Sequence, residues 1–165
     1  ESLGYTDYSI QKFFESASKE DWYQNTLFVI TGDHTQKSDN PQYQDDLGHY
    51  RVPVILYHPS LSQKQWPAHD TNRPIQHADI MPTVLDTLDI PQDKLSKVGS
   101  SAFSNPHDAF VVNRTPEGYW YLSSHLIKMD LNHKIKDHAD ENEKLRMKAY
   151  MQYYVNGIIE NKLFK

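Results

Sequence analysis

The apolar residues of this chain change their spacing several times, and each change marks an expected element. In residues 5–17 Ile10, Phe13, Phe14 and Ala17 recur at helical spacing, with Thr6 or Asp7 as the expected cap. A turn is expected at Asp21-Trp22-Tyr23-Gln24-Asn25. Thr26-Leu27-Phe28-Val29-Ile30-Thr31 is an unbroken β-prone run, the pattern of a strand buried on both faces as in a parallel sheet. It ends at Gly32-Asp33-His34, and residues 35–50 are polar, a long loop of the kind that often carries function. Val52-Pro53-Val54-Ile55-Leu56-Tyr57 is a second strand, with Pro53 at its start or on an edge.

After a loop over 58–74 a helix is expected from Asp79 through Leu88, with Ile80, Met81, Val84, Leu85 and Leu88 facing a core. Pro82 is acceptable in its first turn. Residues 89–107 are irregular and hold the expected soft boundary, near 89–104. Ala109-Phe110-Val111-Val112 and Tyr119-Trp120-Tyr121-Leu122 read as antiparallel strands around Pro116-Glu117-Gly118, and His125-Leu126-Ile127-Lys128-Met129 extends the meander. Residues 140–160 form a last helix with Met147, Met151, Tyr154 and Ile158 on one face. The order is α-β-β-α, then a β-meander, then α: an α/β layer with a small antiparallel appendage.

Composition narrows the possibilities. At 165 residues, 38% hydrophobic and 24% charged, the chain can build one real core. A net charge of −5 with dispersed Lys and Arg argues against nucleic acid as a partner. There is no cysteine, so disulfides and thiolate metal sites are excluded. No apolar run reaches the roughly 20 residues that span a bilayer. The chain opens Glu1-Ser2-Leu3 without an initiator Met, so the natural start and any targeting segment are expected upstream.

The strongest chemical signal is Asp33-His34, a carboxylate and an imidazole side by side where a strand ends. Ligands of open α/β sheets gather beyond the carboxyl ends of strands. Zinc, manganese and similar ions accept this mixed oxygen and nitrogen donor set, and Gly32 allows a sharp turn just before it. The plainer reading is an Asp that caps the next turn beside a surface His. His49 follows in the same loop; it is a second-metal ligand, a contact to a transferred phosphoryl group, or a surface loop His. Arg51 reads as solvated more readily than as an anion contact. His77 reads as a helix-entry residue ahead of an Asp79 cap rather than a phosphate contact. His58, His69, His107, His125, His133 and His138 show no spacing that converges on a metal. Tyr119, Trp120 and Tyr121 alternate faces and read as core rather than a sugar platform.

Thr31-Gly32-Asp33-His34-Thr35 resembles the second metal-ligand motif of the alkaline phosphatase/sulfatase superfamily. Tyr5-Thr6-Asp7 opening a helix, then Trp22-Tyr23-Gln24-Asn25-Thr26-Leu27-Phe28-Val29, resembles the segment before that motif in lipoteichoic acid synthase-type enzymes (phosphoglycerol transferases, often also called sulfatases). Arg51-Val52-Pro53-Val54-Ile55-Leu56-Tyr57 is similar to the superfamily's Val-Pro strand, and Gln76-His77-Ala78-Asp79-Ile80-Met81-Pro82-Thr83-Val84-Leu85-Asp86 resembles its late helix. The landmarks cover roughly residues 1–90 and are specific as a set.

The resemblance implies the C-terminal portion of an alkaline phosphatase-like sheet with flanking helices. Residues 1–104 would be the last part of the catalytic domain, and 105–165 an antiparallel meander and terminal helix packed on it. It implies a phosphate or sulfate ester substrate, a divalent metal (Mn, Zn or Ca), and Asp33 and His34 as two of its ligands, with His49 as a second-metal or phosphate contact. The nucleophile and an acidic ligand would lie in an N-terminal half with no match here, so no catalytic nucleophile is identified in this chain. It also implies a membrane-anchored enzyme of the cell envelope acting outside the cytoplasm. Without that half, the chain should expose an apolar face and a strand edge and tend to self-associate. Two competing classes are a non-catalytic folding or interaction module and, less well supported, a nucleotide-binding domain, for which no glycine-rich phosphate loop is present.

Overall fold

In the computed structural model residues 2–35, 38–45, 47–61, 65–67, 70, 72–92, 98–105, 107, 109–135 and 140–163 are described. The chain is α/β and divides into two compact units, Glu1–Trp66 and Pro67–Lys165. Among the described residues no helix is long and apolar enough to cross a membrane.

The first unit runs α1 (Ser2–Ala17), β1 (Phe28–Thr31) and β2 (Val54–Tyr57). The helix begins at Ser2, three residues before the sequence pattern does, so Thr6 and Asp7 lie inside it and cap nothing. Its core is aromatic. Ala17, Tyr23 and Phe28 are buried, with Phe14 packed on them. The Phe28 ring lies 5.1 Å from Phe14, 5.5 Å from Tyr23 and 5.9 Å from Tyr57. The Tyr23 and Tyr57 hydroxyls meet at 3.1 Å. That bond, and then burial, holds the Tyr23 phenol above its ordinary pKa. Ile10 and Phe13, expected on the packed side of α1, stay exposed, as do Leu3, Tyr5 and Tyr8.

The expectation of a strand buried on both faces is corrected. β1 pairs antiparallel with β2, Phe28 opposite Tyr57 and Thr31 opposite Val54. Only Phe28 is buried; Val29 and Ile30 are half-buried and Thr31 is exposed. An unbroken apolar run reports hydrophobic surroundings but not strand direction, and here the described neighbour supplies one partner only. Pro53 lies just before β2, where its missing N–H costs no ladder bond.

The second unit carries α2 (Ile80–Thr87), β3 (Val111–Thr115), β4 (Gly118–Leu122), β5 (Leu126–Asp130) and α3 (Glu141–Ile159). The three strands form the expected meander, with Val111 opposite Leu122 and Tyr121 opposite Ile127. Gly118 closes the β3–β4 hairpin at φ +151°, and a Cβ there would stand 2.0 Å from the Met129 carbonyl oxygen. Only glycine fits. Trp120 and Tyr121 are both buried, so the aromatic run is core, as expected. Tyr121, Ile127, Met129 and Met147 form that core, with Phe110, Val112 and Met151 against it.

The apolar stripe on α3 is covered at one end only. Met147 is fully buried and Met151 half-buried, but Tyr154 and Ile158 are exposed. A three-stranded sheet is too short to cover all five turns of a 19-residue helix.

The α2 face differs from expectation in a similar way. Met81 and Leu88 are exposed, whereas Pro82 and Thr83 are buried. The reason is polar. The Thr83 hydroxyl accepts from Ala102 N at 2.9 Å, and Ser101 Oγ donates to Asp86 at 2.5 Å, so residues 101–102 cover that side. Asp79 stands at the N-cap position of α2, as expected, but its side chain makes no cap bond to that helix. The cap of the preceding 3-10 turn is Gln76, and Asp79 answers it as the far member of a capping box, accepting from Gln76 N at 3.0 Å. Its other oxygen accepts from Ser100 N at 2.7 Å. Burial pushes the Asp79 carboxyl above its ordinary pKa, against the pull of these two bonds and of Arg73.

Candidate functional site

Asp33 and His34 leave the end of β1 in a bend, where Gly32 lets the chain turn. A Cβ on Gly32 would touch Val52 Cγ1 at 3.3 Å, so Val52, two residues before β2, lies against this turn. Asp33 Oδ1 accepts from His34 N at 2.9 Å. Its Oδ2 stands 3.6 Å from His34 Nε2, and both side chains are open to solvent, at 89% and 73%.

The other imidazole nitrogen decides what His34 can do. Nδ1 lies 2.8 Å from the Thr35 carbonyl oxygen. A carbonyl only accepts, so Nδ1 carries the proton. In the neutral ring Nε2 is then an unprotonated donor atom beside a carboxylate oxygen. Metal-binding histidines are commonly oriented this way by a bond from the second nitrogen. Two donors sharing a tetrahedral ion at about 2.1 Å stand roughly 3.4 Å apart, close to the separation seen. The pair therefore fits a shared divalent cation in donor type, tautomer and spacing. Among the described residues no third His, Asp or Glu joins a metal-holding group.

His49 sits in a built loop rather than a floppy one. The polar stretch folds into two 3-10 turns, Pro41–Tyr43 and Gly48–Tyr50. Asn40 Oδ1 caps the first by accepting from Gln42 N at 3.1 Å. Asp45 Oδ1 caps the second by accepting from Gly48 N at 2.5 Å. A Cβ on Gly48 would press within 2.5 Å of the Gln42 carbonyl and Tyr43 Cα, so the two turns pack directly on each other. The Thr35 hydroxyl donates to the carbonyl of His49. That bond brings the His49 backbone to the residue that follows the Asp-His pair. The His49 side chain is exposed and is not part of a three-group metal cluster among the described residues.

Thr35 and Asp45 are the residues that sequence reasoning passed over. Asp45 three places before Gly48 is a cap signature that was there to be read. Nothing in the sequence signals the pairing of Thr35 with His49, fourteen positions away.

His77 lies in the 3-10 turn before α2, as a helix-entry residue. His69 and His138 fall outside the described residues. In the second unit a cavity of about 380 Å³ is lined by Ser123, Ser124, His125, Glu143 and Arg146, among others. Its carboxylate is already engaged. The Ser123 and Ser124 hydroxyls each donate to Glu143 at 2.6 Å, and these bonds hold its pKa below the usual value. The arrangement braces the β4–β5 turn against the start of α3.

The sequence profile of the Sulfatase family matches residues 1–90, the stretch that holds Asp33, His34, Thr35 and His49. No curated protein matches the chain in sequence. Among solved structures the chain is similar to a protein of the alkaline phosphatase superfamily from Vibrio parahaemolyticus. The TM-score is 0.72 at 18% identity over 98% of this chain. The chain spans 42% of the length of that structure.

Proposed function

Because this chain belongs to the sulfatase family, we propose that the protein carrying it is a divalent-metal-dependent transferase or hydrolase of phosphate or sulfate esters, with Asp33 and His34 as two of its metal ligands. The observation that carries the reading is the 2.8 Å contact of His34 Nδ1 with the Thr35 carbonyl oxygen, which assigns the proton to Nδ1 and turns the Nε2 lone pair to a site 3.6 Å from Asp33 Oδ2. When bound, the ion would neutralise charge on the transferring group and lower the pKa of the attacking oxygen. Asp33 contributes negative charge to its site, and His34 a neutral donor. The Thr35 carbonyl keeps His34 in the ligating tautomer. Mn, Zn and Ca are the candidate ions.

The nucleophile and further ligands belong to the rest of the protein. His49 contributes either to a second metal or to contact with the ester. Within the family, Thr31-Gly32-Asp33-His34-Thr35 and its flanking segments support a phosphoglycerol transferase of the lipoteichoic acid synthase type, anchored in the cell envelope with its catalytic domain outside the cytoplasm.

Calorimetric titration of the full-length protein with Mn, Zn and Ca tests the metal reading. Wild type should bind at least one of them, and Asp33→Ala should weaken that binding. Equal affinity in the two proteins overturns the ligand assignment. Assays with nitrophenyl sulfate and nitrophenyl phosphate esters then separate sulfuryl from phosphoryl chemistry.

A further inference from the structure

Thr35 is bonded on both sides. Its carbonyl accepts from His34 Nδ1 at 2.8 Å. Its hydroxyl donates to the His49 carbonyl, fourteen residues on. The acceptor is a terminal carbonyl of a single 3-10 turn, a group that needs a partner from outside the turn. That turn is otherwise held by short local bonds: Asp45 Oδ1 on Gly48 N, Tyr50 N on the Leu47 carbonyl at 3.0 Å, and Arg51 N on the Gly48 carbonyl at 3.2 Å. All are made within residues 45–51. The Thr35 hydroxyl ties this turn to the residue that follows the Asp-His pair.

We propose that Thr35 is a positioning residue. Its carbonyl sets the His34 tautomer, and its hydroxyl anchors the turn that carries His49. This rests on reading Asp33 and His34 as metal ligands. The residue would act through its neighbours, without itself touching metal or ester. One threonine then links the Asp-His pair to the turn that carries His49.

The test uses the full-length protein. Thr35→Val keeps the shape and removes the hydroxyl; Thr35→Ser keeps the hydroxyl. Hydrogen exchange at the amides of Tyr50 and Arg51 and calorimetric metal affinity are measured on both. The expected result is faster exchange in Thr35→Val and metal binding weakened by up to about 10-fold, because residue 35, released from His49, holds its carbonyl less firmly on His34 Nδ1, with both restored in Thr35→Ser. Wild-type exchange and affinity in Thr35→Val overturn the proposal, as does a Ser variant as impaired as Val. Should Thr35→Val fail to fold, Thr35→Ala serves the same comparison. Failure of the metal reading is distinguished by Asp33→Ala: if that variant binds metal as wild type does, the ligand assignment falls, while the exchange measurement still judges the anchor.

Discussion

Asp33 and His34 face each other across 3.6 Å, carboxylate Oδ2 to imidazole Nε2, with the imidazole proton held on the far side by the Thr35 carbonyl. Adjacent residues in a bend rarely need such an arrangement for stability, because both side chains are solvent-exposed and an exposed pair contributes little. His34→Ala should therefore leave the unfolding midpoint within about 0.5 kcal/mol of wild type. It should weaken metal binding by more than the roughly 10–100-fold expected from loss of an outer-shell partner. Urea denaturation and metal calorimetry check the two halves. A variant that loses stability but keeps metal affinity would mark His34 as structural.

Gly118 offers a sharper stability test. Its φ of +151° and the 2.0 Å approach of the Met129 carbonyl leave no room for a methyl group. Gly118→Ala should destabilise the second unit by about 1–3 kcal/mol from backbone strain alone. An unchanged urea midpoint would mean that the hairpin takes another form in solution.

Met147 and Ile158 share one face of α3 but not one environment, at 0% and 54% exposure. Met147→Ala should cost about 2–5 kcal/mol and Ile158→Ala less than about 0.5. Equal losses would show that the exposed end of the stripe is covered in solution.

Two carboxylates give opposite pH signatures. Burial raises the Asp79 pKa, so the native state holds that proton more tightly than the unfolded chain. Its contribution to stability is complete below the ordinary value of 3.8 and is lost as pH rises through the raised native value. Serine hydroxyls lower the Glu143 pKa, so its contribution is present above 4.5 and is lost as pH falls through the lowered native value. Stability measured against pH should show wild type losing ground to Asp79→Asn as pH climbs above about 4, and losing its advantage over Glu143→Gln on acidification below about 4.5. Parallel curves for all three proteins would refute both assignments.

The exposed apolar side chains of α1 predict association of the 165-residue chain. Leu3 and Tyr5 are 78% and 74% exposed, with Tyr8 and Phe13 beside them on the same helix. Light scattering at high concentration should show oligomers, reduced in Phe13→Glu. A monomer throughout would mean that these side chains are tolerated in water.

Local signals in the sequence were sufficient for element order, the meander, the core role of Trp120 and Tyr121, and the position of Asp33-His34 after a strand. They failed where a distant partner decides. The β1 run could not report that β2 would lie antiparallel to it. The α2 pattern could not report that Thr83 would be sealed by Ala102 while Met81 stayed in water. The Asp-His pair was legible because its two residues are neighbours in the chain. The bond from Thr35 to His49 was not, because a 3-10 turn pinned by Asp45 creates that proximity.

The contact between the two turns of the 38–50 loop sets how this region can be redesigned. Gly48 has Gln42 and Tyr43 backbone and the Asp45 carboxylate against it, while the side chains of Gln42, Tyr43 and Gln44 are exposed. Sequence variation in this loop can thus draw freely on those exposed positions, with 48 kept invariant and Asp45 retained for its bond to Gly48 N. Insertions belong before Asn40, ahead of the cap of the first turn, where added length leaves the two packed turns intact.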